Sequence, residues 1–150
     1  MKKLAVIVGI LVALALLAAL LLPALAWDGG ANVEVRFHVH ESGRGPIKGA
    51  KVLVVLASQL SMLSDTNFAD AFPGVITDDR GQATLRVMCP AGGGSGLLGR
   101  TGHFRFVHDL SVEAQDYRTL STPLANVVGG VRWPLSKRVF DVELVLFKNP

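Results

Sequence analysis

Two histidines, His38 and His40, stand two residues apart in an alternating stretch, residues 33–40. On a β-strand such neighbours share a face, so both imidazoles project to one side, opposite Phe37 and Val39. Neutral imidazole is a zinc ligand, and a site needs three or four such donors. His103, or less directly His108, would have to supply the third from across a sheet. The candidate metal set is therefore His38, His40 and His103. The plainer reading is a pair of solvated histidines on the polar face of an amphipathic strand.

The remaining reactive groups carry weaker patterns. Asp65, Asn67 and Asp70 have the spacing of part of a calcium loop, without the glycine and closing glutamate of the twelve-residue form. Asp and Asn in a loop more commonly form turns and caps. Ser58, Ser61 and Ser64 lack the Gly-x-Ser-x-Gly context of a nucleophile. Cys89 is the single cysteine, so no intramolecular bridge exists. It reads as a small buried hydrophobe, or else as a thiol for an intermolecular disulfide. Trp133, after Gly129 and Gly130, is the candidate contact with a carbohydrate or protein partner; the alternative is a Trp that caps the core. No motif implies a cofactor, and no catalytic residue is assigned.

The amino terminus sets the compartment. Lys2 and Lys3 precede an apolar run over residues 4–22, followed by Pro23 and the small residues Ala24 and Ala26. A positive start, an apolar stretch and a small-x-small ending describe an export signal cleaved after Ala26. The run also approaches the ~20 residues that span a bilayer, so an uncleaved anchor is the alternative, touching the membrane only through residues 4–26. Either way, residues 28–150 lie outside the cytoplasmic membrane, periplasmic or extracellular. The chain carries 15 Lys+Arg against 12 Asp+Glu. Without Lys2 and Lys3 this becomes 13 against 12, a near-neutral domain. Arg100, Arg105, Arg118, Arg132 and Arg138 are scattered along the sequence rather than striped. Nucleic acid is therefore not indicated as a partner.

The elements that position these groups are strands. Residues 33–40 alternate strictly, residues 51–57 form a continuous apolar run, and residues 74–77 a short strand. Asp78-Asp79-Arg80-Gly81 is a tight hairpin signal, and residues 82–88 alternate again. Residues 90–96, Pro-Ala-Gly-Gly-Gly-Ser-Gly, read as flexible and low in complexity. One or two strands around Phe104, Phe106, Leu110 and Val112 follow, with a break near His108. Residues 139–147 close the domain with Phe140, Val142, Leu144 and Leu146 on one face. About seven short strands separated by turns describe an all-β Greek-key β-sandwich, preceded by an amino-terminal hydrophobic helix. The expected organisation is 1–26 signal or anchor, 27–31 short linker, and 32–150 sandwich domain. Residues 58–72 and 89–102 are the long connections expected to recognise a partner.

Gly-Pro-Ile-Lys-Gly-Ala-Lys-Val at 45–52, Thr-Asp-Asp-Arg-Gly-Gln-Ala-Thr-Leu at 77–85 and Val-Glu-Ala-Gln-Asp-Tyr at 112–117 occur in that order. Together they resemble the carboxypeptidase regulatory-like domain, one of the transthyretin-like (prealbumin-like) sandwiches. The resemblance covers roughly residues 32–147 and departs from the family at Asp116, where glycine usually precedes the aromatic residue. It implies a fold rather than an activity. Enzymes of the wider group carry signatures this chain lacks. The terminal Tyr-Arg-Gly-Ser of the hydroxyisourate hydrolases is replaced by Phe147-Lys148-Asn149-Pro150. The two tyrosines that hold iron in intradiol dioxygenases cannot be assembled from Tyr117 alone. The zinc of metallocarboxypeptidases sits in a separate domain. The expectation is a non-enzymatic, exported accessory module of the cell envelope. It would bind a protein or carbohydrate, or a second copy of itself, through loops or an edge strand. The competing expectation is a metal-assisted hydrolase built on the histidines.

Overall fold

The alternation of small and branched residues along residues 31–39 generates one long strand, β1 (Leu25–Glu41), in a computed structural model that describes residues 2–21, 25–57, 74–96 and 99–150. Ala31, Val33, Val35, Phe37 and Val39 are almost wholly buried on one face, while His38 and His40 stand on the other. Before it runs α1 (Lys2–Leu21), a helix of 20 residues. Every described side chain of α1, residues 7–17, is exposed, whichever way it points. Among the described residues no helix is long and apolar enough to cross a membrane.

The remaining elements are β2 (Lys51–Leu56), β3 (Val75–Ile76), β4 (Gln82–Gly96), β5 (Gly99–Arg105), β6 (His108–Glu113), β7 (Leu120–Pro123), α2 (Leu124–Val127), β8 (Arg132–Pro134) and β9 (Val139–Leu146). They form a two-sheet β-sandwich. The first sheet has the order β8-β5-β4-β1-β9 and the second β3-β2-β6-β7. The described residues thus hold nine strands where about seven were expected.

Two expectations about connections are corrected. Residues 27–31 are not a linker; they are strand, with Trp27 opposite Gly93 and Ala31 opposite Cys89. The glycine-rich run at 90–96 is not a flexible loop; it is the second half of β4, hydrogen-bonded to β1 on one side and β5 on the other. The cause is close approach. A β-carbon on Gly93 would collide with the backbone of Thr101 and Gly102, so the β4–β5 ribbon closes only because that atom is missing. The expected recognition loop at 89–102 is thereby mostly strand, and the one at 58–72 lies outside the described residues.

The core forms where the inner faces meet. Val33, Val35, Phe37, Val87, Phe140, Val142 and Leu144 come from the first sheet, and Val52, Leu110 and Val112 from the second. Phe104, Phe106 and Phe140 pack edge to face, with ring centroids 5.2–6.1 Å apart. Such pairs each add about 0.5–1.5 kcal/mol beyond burial.

The turn at 78–81 carries the chain between sheets, because β3 belongs to the second sheet and β4 to the first. It is tight as expected, but the strands it joins are not a hairpin. The Asp78 carboxylate accepts the Arg80 and Gln82 N–H groups, each at 2.9 Å, and Gly81 takes the left-handed conformation at φ 69°. Those two N–H donors, Gln82 first, hold the Asp78 carboxyl below its ordinary pKa.

One pairing is unlike the rest. β9 runs parallel to β1, with Glu34 opposite Val139 and Glu41 opposite Leu146. Glu34 N–H donates to Arg138 C=O at 2.8 Å, and Ser42 N–H to Leu146 C=O at 3.2 Å. These two bonds set the phase, so the backbone groups of Val139, Asp141, Glu143 and Val145 face away from β1. No described strand pairs with that side.

Candidate functional site

On the outer face of the first sheet, where β1 begins, the register sets four strands side by side. Asp28 of β1 lies opposite Gly92 of β4, and Gly92 opposite His103 of β5. One step along, Arg105 of β5 lies opposite Arg132 of β8. Phe104 between them is fully buried, so His103 and Arg105 both point outward. Gly92 contributes no side chain, and the row therefore has a gap in its middle. A β-carbon there would stand 2.8 Å from Asp28 Oδ1, which shows the carboxylate leaning over the glycine. The result is a cleft of about 450 Å³ lined by Trp27, Asp28, Gly92, His103, Arg105 and Arg132.

The charges of this cleft are divided. Arg105 and Arg132 face each other on neighbouring strands, and like charges so placed repel. Neither forms an ion pair with a described residue, and neither does Asp28. Arg132 Nη2 lies 3.3 Å from His103 Nδ1. Arginine only donates, so in this contact Nδ1 is the acceptor. One wall of the cleft is thus basic and rich in donors, and the other carries a carboxylate.

The histidines expected as a metal set are not brought together. His38 and His40 share the outer face of β1 as the alternation required. His103, however, is opposite the position that pairs with Asp28, ten residues along β1 from His38. At ~3.3 Å per residue that is roughly 33 Å. His40 Nδ1 instead sits 3.5 Å from the Glu143 carboxylate. The shallow cavity of about 280 Å³ beside the two histidines is lined also by Arg44 and Arg80, which disfavour a cation. Among the described residues no group of three or more His, Cys, Asp or Glu is arranged to hold a metal ion. His108 is buried in β6, and burial pushes its pKa down despite neighbouring Asp109.

Trp133 is half-buried. Its ring meets Phe140 at 5.0 Å between centroids, and its Nε1–H donates to Gly130 C=O at 3.1 Å. Lys137 Nζ covers the ring at 4.2 Å. This is the core-capping arrangement, so the exposed tryptophan needed for a stacking contact is not formed. Cys89 is fully buried in β4, and burial raises its thiol pKa to about 11.

Sequence reasoning missed Asp28, Arg105 and Arg132. Asp28 seemed to belong to a linker, and the arginines seemed scattered. Their relation exists only through the β4–β5–β8 pairing, which no short motif announces.

No protein-family model matches this sequence, and no curated protein does. Among solved structures, catechol 1,2-dioxygenase from Pseudomonas arvilla C-1 is similar with TM-score 0.47 and 18% identity, over 81% of this chain and 54% of that one. For 3-chlorocatechol 1,2-dioxygenase from Rhodococcus opacus 1CP the values are 0.48, 16%, 81% and 62%. The shaft pilin SpaA from Lactobacillus rhamnosus GG gives 0.36, 14%, 81% and 52%. The chain spans between half and two thirds of the length of these proteins. Likeness this distant carries no argument about activity, substrate or partner.

Proposed function

We propose that this chain is an exported, non-enzymatic β-sandwich interaction module of the cell envelope, of the carboxypeptidase regulatory-like kind. Its partner contact is the cleft of the first sheet. The observation that carries this reading is the continuity of α1 and β1. A helix apolar on every described side is followed, three residues after it ends, by the strand that supplies Trp27 and Asp28 to the cleft. Apolar surface of that kind is costly in water and suits export machinery or a bilayer.

Absence of an enzyme is supported by the cleft's own residues. None of the side chains lining it is a Ser, Thr or Cys nucleophile. His103 Nδ1 is engaged by Arg132 rather than by an acidic orienting partner. The free side of β9 is the second contact surface, open to a protein strand or a second copy. It carries Asp141 and Glu143, and charges on an edge strand discourage such pairing. The cleft is therefore the stronger assignment.

Fractionation of cells making the full chain, with protease added outside the intact inner membrane, tests this reading. The expected result is a chain in the envelope or medium whose sandwich is accessible to added protease. Recovery of the chain in the protected cytoplasmic fraction would overturn it.

A further inference from the structure

We infer that the cleft binds a zwitterion: a phosphate group on Arg105 and Arg132 and a primary ammonium on Asp28, the chemistry of phosphoethanolamine. The inference rests on the proposed use of this cleft as the contact site and adds the ligand class. Three observations lead to it.

The first is the unpaired cationic wall. Arg105 and Arg132 are directly opposed across β5 and β8, and neither has an acidic partner among the described residues. Two repelling guanidinium groups held in register are stabilised together by an anion shared between them. A carboxylate offers two oxygens, which a single arginine fork already satisfies. Two forks match the greater number of acceptor oxygens on a phosphate.

The second is the carboxylate across the gap. A site for a bare anion would not place Asp28 beside it. Asp28 leans over Gly92 toward the basic strands and makes no ion pair with a described residue. Its strand lies two positions from β5, about 10 Å of backbone separation. Side chains converging from both walls leave room for a small two-headed ligand and not for a polymer crossing the sheet.

The third is the floor. Gly92 holds the gap open, because any larger residue would displace the Asp28 side chain and press on the Trp27 carbonyl, 3.2 Å from where its β-carbon would stand. The cleft of about 450 Å³ is therefore maintained by the sequence of β4.

Phosphoethanolamine chemistry has two sources, a soluble ester and a lipid headgroup, and Asp28 follows closely on the apolar helix. The full chain in non-ionic detergent is titrated calorimetrically with phosphoethanolamine, inorganic phosphate and ethanolamine. The expected order is phosphoethanolamine tighter than either half by about tenfold or more, the combined effect of two anchored charges. Asp28→Asn, nearly isosteric, should retain phosphate binding and lose the preference for phosphoethanolamine. Arg105→Ala with Arg132→Ala should lose both, and the Lys pair should recover part of the affinity. The full chain is then placed in vesicles with and without phosphatidylethanolamine. A response to soluble phosphoethanolamine abolished only in the first identifies the lipid as source, and an equal response in both identifies the soluble ester.

Equal affinity of the native chain for phosphate and phosphoethanolamine, or no saturable binding of either, overturns the inference without recourse to any variant. A chain correctly exported but silent in calorimetry sinks this inference alone. A cytoplasmic chain that binds the zwitterion sinks only the assignment of location.

Discussion

The Ala50 N–H donates to the Thr77 hydroxyl at 2.9 Å, across 27 residues of sequence. The same hydroxyl donates to Ile47 C=O at 2.7 Å, so one buried oxygen closes the turn before β2 onto the residue that follows β3. Replacement of Thr77 by Val keeps the shape and leaves a buried donor and acceptor unmatched. The expected loss is about 1–3 kcal/mol, read from urea midpoints, with Thr77→Ser retaining most of the stability. A Val variant as stable as the native chain would remove the hydroxyl from its bridging role.

His108 gives the domain a pH dependence of known sign. Burial depresses its pKa below the ordinary 6.5. As pH falls from that value toward the lower folded one, the unfolded chain takes up a proton that the folded chain resists, so stability declines. Below the folded pKa both states are protonated and the loss levels off. Urea midpoints at pH 7.5, 6.5 and 5.5 should fall for the native chain and fall less for His108→Leu. Parallel curves would show that His108 does not carry the dependence.

Cys89 should be chemically silent. At a pKa of about 11 almost no thiolate exists at pH 8, and the sulfur lies fully inside the sandwich. Maleimide should add no mass to the folded chain and one equivalent in urea. Prompt labelling without denaturant would show that β4 opens. An intermolecular disulfide through this residue is not expected in the folded state.

Asp116 is the single described non-glycine residue with a left-handed backbone, at φ 69°. It sits where the resembled family has glycine, and the turn forms regardless: Tyr117 N–H reaches Ala114 C=O and Asn149 N–H reaches Asp116 C=O. Asp116→Gly should change stability by no more than ~0.5 kcal/mol, because relief of the left-handed cost is offset by a looser unfolded chain. Asp116→Val should cost about 1–2 kcal/mol. Thermal denaturation of the two variants compares them directly, and a neutral Val variant would deny any strain at this position.

Strands with an alternating or continuous apolar pattern were legible, since burial of one face leaves a period of two in β1, β4 and β9. The turn at 78–81 was legible through Asp and Gly. What escaped was pairing. Nothing local tells a reader that Asp78 begins a crossing between sheets rather than a hairpin. Gly92, Gly93 and Gly94 have low strand propensity, yet close approach to β5 requires some of them. The cleft was hidden for the same reason: Asp28, His103, Arg105 and Arg132 acquire their relation from hydrogen-bond register, which is a property of four strands together.

The parallel pairing of β1 with β9 has a bearing on how the molecule is made. A ribosome delivers the first strand long before the last, and any translocation channel would pass them in that same order. Until residue 146 has emerged, Val35, Phe37 and Val39 lack their neighbour and one flank of the nascent sheet stands open. Cooperative closure of this sandwich must therefore wait until β9 is available, as expected of a topology dominated by distant contacts. A sandwich that closes so late stays threadable until its final strand arrives.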